Sequence, residues 1–213
     1  MISTSLSENN GIAALSSQDK LVYSVGISTG GASEMRMAKS APHRRVIATT
    51  MDPVGAAFAQ NQIKHAGLCK QIDVRIENVA EPLPYPNEHF DFIYARLVLH
   101  YLSKSELDRA LGELHRILKT SGRIFIVMRS IDTPDARSKD SLFDPQTGMT
   151  TSFSNGLTAR RCFHSEESIQ QHLTSAGFQI QHLSSYEEQL CLDFHRTKPA
   201  EDVDVLIEMI ARK

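Results

Sequence analysis

The sequence predicts an α/β fold: a doubly wound, mostly parallel sheet with helices on both faces. Apolar runs of strand length alternate with helix-length segments, the pattern left by strands joined through helical crossovers. Ile124 to Met128 is apolar at every position, as expected of a strand buried on both faces. With 213 residues, 41% apolar and 23% charged, the chain has the length and composition for one sizeable core.

Residues 1–18 are polar and serine-rich and read as a flexible leader; they lack the basic segment and long apolar run of a targeting signal. Residues 19–213 form one domain. Its first strand is expected over Val22 to Gly26. A helix from Gly31 to Lys39 follows and stops before Ala41-Pro42, because the residue preceding proline disfavours the α region. Arg45 to Met51 gives the second strand. The next helix has Asp52 placed as N-cap, Pro53 at its first position and Gly67 beyond its far end. Ile72 to Ile76 is the third strand and Phe90 to Ala95 the fourth, introduced by the turn-forming LPYPNEH.

Ser103 and Glu106 form a capping box for a helix whose Leu107, Ala110, Leu111, Leu114 and Leu118 recur at three and four. Ser121-Gly122 is expected to end it, with Arg123 to Met128 as the fifth strand. The polar stretch Ser130 to Arg160 is too long for a plain connection and is read as a long loop or a substrate-binding insertion. From Ser165 a capped helix carries Ile169, Leu173 and Ala176 and stops at Gly177, before a strand at Phe178 to Leu183. The closing DVDVLIEMIARK fits periods of 2 and 3.6 equally, so strand and helix stay open there.

Several function classes are disfavoured. A formal net charge of −2, nine Phe, five Tyr and no Trp, without a basic aromatic run, give no nucleic-acid signal. No stretch approaches the length of a membrane span. Cys69, Cys162 and Cys191 are odd in number and far apart, which suggests neither a disulfide framework nor a thiolate metal site, and a cytoplasmic location is expected.

The segment LVYSVGISTGGASE, residues 21–34, combines a strand, a glycine-containing turn and a helix start, the arrangement of a nucleotide-type site at the carboxyl end of a parallel sheet. Its Gly26-Ile-Ser-Thr-Gly30-Gly31 is neither G-x-G-x-x-G nor a P-loop, since no lysine follows. On this fragment alone, a ligand cradle and mere close packing of helix on strand both stay open.

Residues 81–128, EPLPYPNEHFDFIYARLVLHYLSKSELDRALGELHRILKTSGRIFIVM, add three matches in order: LPYP, then FDFIYARLVLHYL, then ELHRILKTSGRIFIV. They resemble the central block of the S-adenosylmethionine-dependent methyltransferases with the Rossmann-like class I fold. FHSEESIQQHLTSAGFQI and VLIEMIARK resemble the family's last helix and closing strands. The resemblance implies a sheet of about seven strands and S-adenosyl-L-methionine as cofactor, with S-adenosyl-L-homocysteine as product. It also implies transfer of a methyl group to an acceptor, for which a small molecule is expected. A glycine turn would then cradle a zwitterionic methionine tail, with backbone N–H groups as donors.

Residue by residue, the resemblance places Gly26 and Gly30 on family glycines, with Ile27 and Ser28 lining the same turn. Ser24 stands where the family has an acid. Thr50 stands where an acid usually accepts from the ribose hydroxyls. Asp52, two residues on, would face the same side and is open to that role as well as to helix capping. Met51 would lie beneath the adenine, Asn78 would meet its amino group and Val79 would offer a backbone N–H. Ala95, Arg96 and Leu97 would lie near the donor methyl. Arg96, His100 and Tyr101 are the candidates for orienting the acceptor or taking its proton, and Arg129 and His164 for contacting it. No metal ligands are implied. The leader is short for a helical lid, so the site would be open, or completed by residues 130–160 or by a second subunit in a homodimer. A catalytically silent methyltransferase-like subunit acting through a protein partner is the alternative.

Overall fold

The computed structural model describes residues 5–27, 29–154, 157–191 and 198–213. Its main sheet has the strand order β3-β2-β1-β4-β5-β10-β9. These strands are β1 (Leu21–Ser24), β2 (Arg45–Thr50), β3 (Ile72–Ile76), β4 (Phe90–Arg96), β5 (Leu118–Arg129), β9 (Gln179–Glu188) and β10 (Asp204–Arg212). The first five run parallel, whereas β10 is antiparallel to both β5 and β9. The order reverses between β1 and β4, and such a switch point opens a crevice at the carboxyl ends of the strands.

Side chains alternate across this sheet with a period of two, and each face has its own core. In β4, Ile93 and Ala95 join the face covered by α4 (Lys104–Ile117) and α6 (Glu166–Ser175) while Phe92 and Tyr94 join the other, and a register shift between Phe90 and Phe92 breaks the alternation and puts Phe90 with Ile93. That other face is covered by α1 (Leu6–Ala13), α2 (Ala32–Lys39) and α3 (Pro53–His65). The α4 stripe Leu107, Ala110, Leu111 and Leu114 is wholly buried, and Glu106 accepts from Ser103 N–H at 2.8 Å at the helix start. Pro53 opens α3 behind the Asp52 cap, and Gly67 follows it at φ +71°. The closing segment, open on pattern alone, is the strand β10, paired on both sides.

Two expectations differ from the structure, and the segment left as loop or insertion takes a regular form. Residues 5–13 of the leader are ordered: α1 is capped by Ser5, which accepts from Glu8 N–H, and docks on the sheet. A Cβ on Gly11 would lie 2.4 Å from Tyr94 Cε2, so only glycine allows this approach. Ser7 N–H donates to Glu188 at 2.9 Å, Asn10 donates to Glu208, and Arg36 pairs with Glu8. Polar contacts of this kind leave no apolar stripe to read.

The α4 helix ends at Ile117, and Leu118 already pairs with Phe90. Glu88 and His89 N–H bond the carbonyls of Arg116 and Ile117, and Lys213 Nζ reaches those of Arg116 and Leu118, so the last turn is capped early. Residues 130–160 are largely regular: α5 (Pro134–Arg137) leads into β6 (Leu142–Asp144), β7 (Met149–Ser154) and β8 (Leu157–Cys162), a separate antiparallel sheet. Among the described residues, no helix is long and apolar enough to cross a membrane.

Candidate active site

A cavity of about 410 Å³ opens at the carboxyl ends of β1, β2 and β4 and beside the residues after β3. Its first wall is the turn after β1. Gly26 has φ +69°, and a Cβ there would sit 2.4 Å from Val98 Cγ2. Gly30 and Gly31 follow at φ +59° and +80° and let the chain turn into α2. The turn is fixed between two strands, since Val25 N–H donates to Tyr94 O at 2.8 Å and Ile27 N–H to Thr49 O at 2.6 Å. Leu97, just after β4, is a non-glycine residue at φ +55°, held by its N–H to Val127 O at 2.8 Å. Strain of this kind persists only where the surroundings impose it, and it gathers at functional sites.

Ser24, standing where an acid was expected at the end of β1, is bonded to an acid of α2. Ser24 Oγ donates to Glu34 Oε1 at 2.6 Å, with both residues fully buried beneath the turn. The carboxylate lies beneath the turn and does not line the cavity.

Gly26, Ile27, Thr50, Met51, Asn78, Val79, Arg96 and Tyr101 line the cavity together. Asn78 Oδ1 accepts from Ala80 N–H at 3.0 Å, which tightens the chain after β3. Gly30, Asp52 and Ala95 do not line it. Ala95 is wholly buried in the α4-side core. Both carboxylate oxygens of Asp52 are used at the start of α3, accepting from Val54 N–H at 2.9 Å and Gly55 N–H at 3.0 Å. Ser28 lies outside the described residues.

Sequence reasoning missed Glu77, the one acid among the described lining residues. It follows β3 directly, and its N–H donates to Thr50 O at 3.1 Å. Its carboxylate accepts from Tyr23 Oη at 2.9 Å and Tyr85 Oη at 2.6 Å. Burial and this neighbouring charge push both phenols well above their ordinary range. Leu97, expected near the donor methyl, lines the cavity, and the other unanticipated lining residues, Val25, Thr49, Val98 and Leu102, are mostly apolar. Val98 had a readable signal only in hindsight of the Gly26 contact.

Arg96 projects from the end of β4 and ties α1 to the cavity. Its Nε donates to Ser7 Oγ at 2.7 Å and its Nη2 to Ser5 Oγ at 2.8 Å, with Glu188 3.7 Å away. His100 is placed differently from the expected position at the reacting centre. It is 1% exposed and does not line the cavity. Its Nδ1 accepts from Arg129 N–H at 3.4 Å. Burial, with Arg129, Arg161 and His164 nearby, holds its imidazole well below the ordinary range and therefore neutral.

Arg129 and His164 also lie outside the cavity, in the polar cluster around His100. Arg129 Nη1 pairs with Asp204 at 2.5 Å. His164 is 2% exposed, with Nδ1 3.3 Å from Ser168 Oγ, and burial pulls its pKa down to about 4. Tyr101 joins the two regions: it lines the cavity, its ring centroid is 4.6 Å from that of His100, and the Arg161 guanidinium lies 5.7 Å over it.

Residues 24–126 match the family model described as a methyltransferase domain. No curated protein matches the sequence at a significant level. Among solved structures, a SAM-dependent methyltransferase from Methanosarcina mazei is 19% identical with a TM-score of 0.70, covering 94% of this chain and 95% of its own. The CcbJ methyltransferase from Streptomyces caelestis is 13% identical with a TM-score of 0.70, covering 97% and 93%. The [4+2]-cyclase SpnF is 20% identical with a TM-score of 0.68, covering 97% and 80%. At these identities the structural likenesses establish the shared fold.

Proposed function

From the premise that this chain, through its residues 24–126, belongs to the S-adenosylmethionine-dependent methyltransferases with the class I fold, we propose that it methylates a small-molecule acceptor at the cavity beside Gly26. The observation that carries this reading is the turn itself, which comes too close to Val98 for any side chain at Gly26 and still leaves a cavity of about 410 Å³ at the switch point of the sheet. The residues present fit S-adenosylmethionine. Gly26 and Ile27 would hold its methionine tail, and Met51 and Val79 offer apolar surface to the adenine, with Asn78 beside them.

Thr50 cannot act as the ribose acid, and Asp52 is spent on capping α3. Glu77 takes over as the acceptor for the cofactor's hydroxyl or amino hydrogens. Each of its oxygens has taken one phenol hydrogen bond and keeps a second lone pair.

When bound, the sulfonium supplies an already activated methyl group. The protein's part is then alignment and exclusion of water. Leu97, Val98 and Leu102 make the wall dry, and Tyr101 gives a hydroxyl that can orient the nucleophile. His100, neutral, lies out of the cavity.

Calorimetric titration with S-adenosylmethionine and S-adenosylhomocysteine tests the cofactor site. Micromolar binding of both is expected, followed by a screen of small acceptors for turnover. Absence of heat at high ligand concentration and two temperatures, with folded protein, would favour instead a methyltransferase-like subunit working through a partner. SpnF, a cyclase by description, illustrates that this fold also carries other chemistry.

A further inference from the structure

Arg96 belongs both to the cavity wall and to the seat of α1. It ends β4 two residues after Tyr94, so both side chains leave the same face of the sheet. α1 lies over that face, brought against the Tyr94 ring by Gly11. Arg96 Nε donates to Ser7 Oγ at 2.7 Å and Nη2 to Ser5 Oγ at 2.8 Å. Ser5 is the N-cap of α1, and its Oγ also accepts from Glu8 N–H at 3.2 Å, so both lone pairs of this hydroxyl are in use. Ser7 is wholly buried and donates its N–H to Glu188 Oε2 at 2.9 Å, while Glu188 Oε1 lies 3.7 Å from Arg96 Nη2. One guanidinium thus fixes the cap and the first turn of a helix from the wall of the cavity.

The guanidinium fork has room for a second partner at the same time. Nε and Nη2 form the edge turned to α1, and Nη1, with two N–H donors, makes no hydrogen bond among the described residues. A ligand oxygen in the cavity can take Nη1 without releasing either serine. Glu188 already offsets the charge of Arg96, so a neutral oxygen serves as well as an anionic one. Besides Arg96, side-chain contacts hold α1: Asn10 Nδ2 donates to Glu208 at 3.0 Å and Glu8 pairs with Arg36 at 2.6 Å. Eight residues are too few for a helix to be stable by itself, so α1 opens as a local unit when such contacts loosen. Fixing Arg96 from the cavity side therefore tightens α1.

We infer that Arg96 is a positioning residue that couples occupancy of the cofactor cavity to the docking of α1. An oxygen of the bound cofactor accepts from Nη1 and holds the guanidinium on the Ser5 cap, and a docked α1 in turn holds Arg96 where the ligand needs it. This rests on the methyl-transfer reading above, which names the occupant. Such coupling is reciprocal: the factor by which the ligand suppresses opening of α1 equals the factor by which opening of α1 weakens the ligand. It gives residues 5–13 a part in binding although none of them lines the cavity.

The test follows amide hydrogen exchange of residues 5–13 in the full chain by mass spectrometry, with and without S-adenosylhomocysteine at a concentration that calorimetry shows to be saturating. The ligand is expected to slow exchange there at least about fivefold. Arg96→Gln, measured at its own saturating concentration, should lose that slowing, and Ser7→Ala, which leaves Arg96 in the cavity wall, should lose part of it. Gly11→Ala, which opens α1 through the Tyr94 contact, should bind S-adenosylhomocysteine more weakly, by at most the factor seen in exchange. Saturated wild type whose residues 5–13 exchange at the unliganded rate would overturn the coupling and leave the cofactor site standing. Slowing that persists in full in saturated Arg96→Gln would do the same. Absence of calorimetric binding to folded wild type would overturn the cofactor reading and the coupling with it. The wild-type comparison decides even if a variant fails to fold.

Discussion

Replacing Gly26 with alanine puts the central claim about the turn to a quantitative test. The residue sits at φ +69°, and its new Cβ would meet Val98 Cγ2 at 2.4 Å and Val98 Cβ at 2.8 Å. Placing an L-residue in the left-handed region costs about 1–2 kcal/mol. Forcing a methyl into an occupied contact costs about 1–3 kcal/mol more. If the turn keeps its shape, the fold loses about 2–5 kcal/mol by these two effects. If it moves instead, the 2.6 Å bond from Ile27 N–H to Thr49 O breaks and the cavity wall shifts. Urea unfolding and calorimetric titration with S-adenosylhomocysteine separate the two responses. We expect a lower unfolding midpoint at an unchanged slope, and at least about a tenfold loss of affinity, equivalent to about 1.4 kcal/mol. Adding Val98→Ala removes the Cγ2 contact but not the backbone strain, so it should recover only part of the stability. A Gly26→Ala protein with wild-type midpoint and wild-type affinity would refute the close-approach argument.

Other predictions follow from single contacts. Gly112→Ala, on the open face of α4 with nothing within 4 Å, should stabilise the protein by about 0.5–1 kcal/mol. The same change at Gly11, where Tyr94 and Phe125 block the methyl, should instead destabilise it and expose residues 5–13 to protease; stabilisation at both sites would mean that α1 is not docked. Asp52→Ala should cost about 1 kcal/mol of stability by uncapping α3 while leaving S-adenosylhomocysteine affinity unchanged, and the opposite ranking would return Asp52 to the ribose site.

His164 supplies a pH dependence of known sign. Its folded pKa, about 4, lies below the unfolded value near 6.5, so the unfolded chain binds the extra proton and stability falls as pH drops through that window. Between pH 7 and 5 the loss is about 2 kcal/mol, with buried His100 acting in the same direction. In urea titrations at the two pH values, His164→Asn should lose correspondingly less than the wild type.

Much of this was legible because some signals are local. A capping box, a proline at a first helical position and glycines past helix ends act within a few residues, and α3, α4 and α6 begin where Asp52, Ser103 and Ser165 put them. The uniformly apolar run Ile124 to Met128 marked the buried strand β5, and the turn-forming LPYPNEH marked the start of β4. The residues of the glycine turn, those at the ends of β2 and β4 and those after β3 were readable through their order along the chain, and seven of them, Gly26, Ile27, Thr50, Met51, Asn78, Val79 and Arg96, meet Tyr101 in one cavity.

What the sequence could not determine depends on contacts between distant segments. The strand identity of residues 204–212 was ambiguous by period, and pairing with β5 and β9 decided it. The polar α1 carries no stripe because it is held by Glu188, Glu208 and Arg36. Ser24 stands in place of an expected acid, and only the packing of α2 bonds it to Glu34. Asp52 had two readings, and the N–H groups of Val54 and Gly55 chose between them. His100, near Tyr101 in sequence, is turned out of the cavity into a cluster drawn from β5, β8 and the start of α6. Local chemistry thus determined the elements and the address of the site. Which charges and hydrogen bonds operate there was decided by side chains far apart in the chain, because burial and electrostatic pairing depend on distance in space.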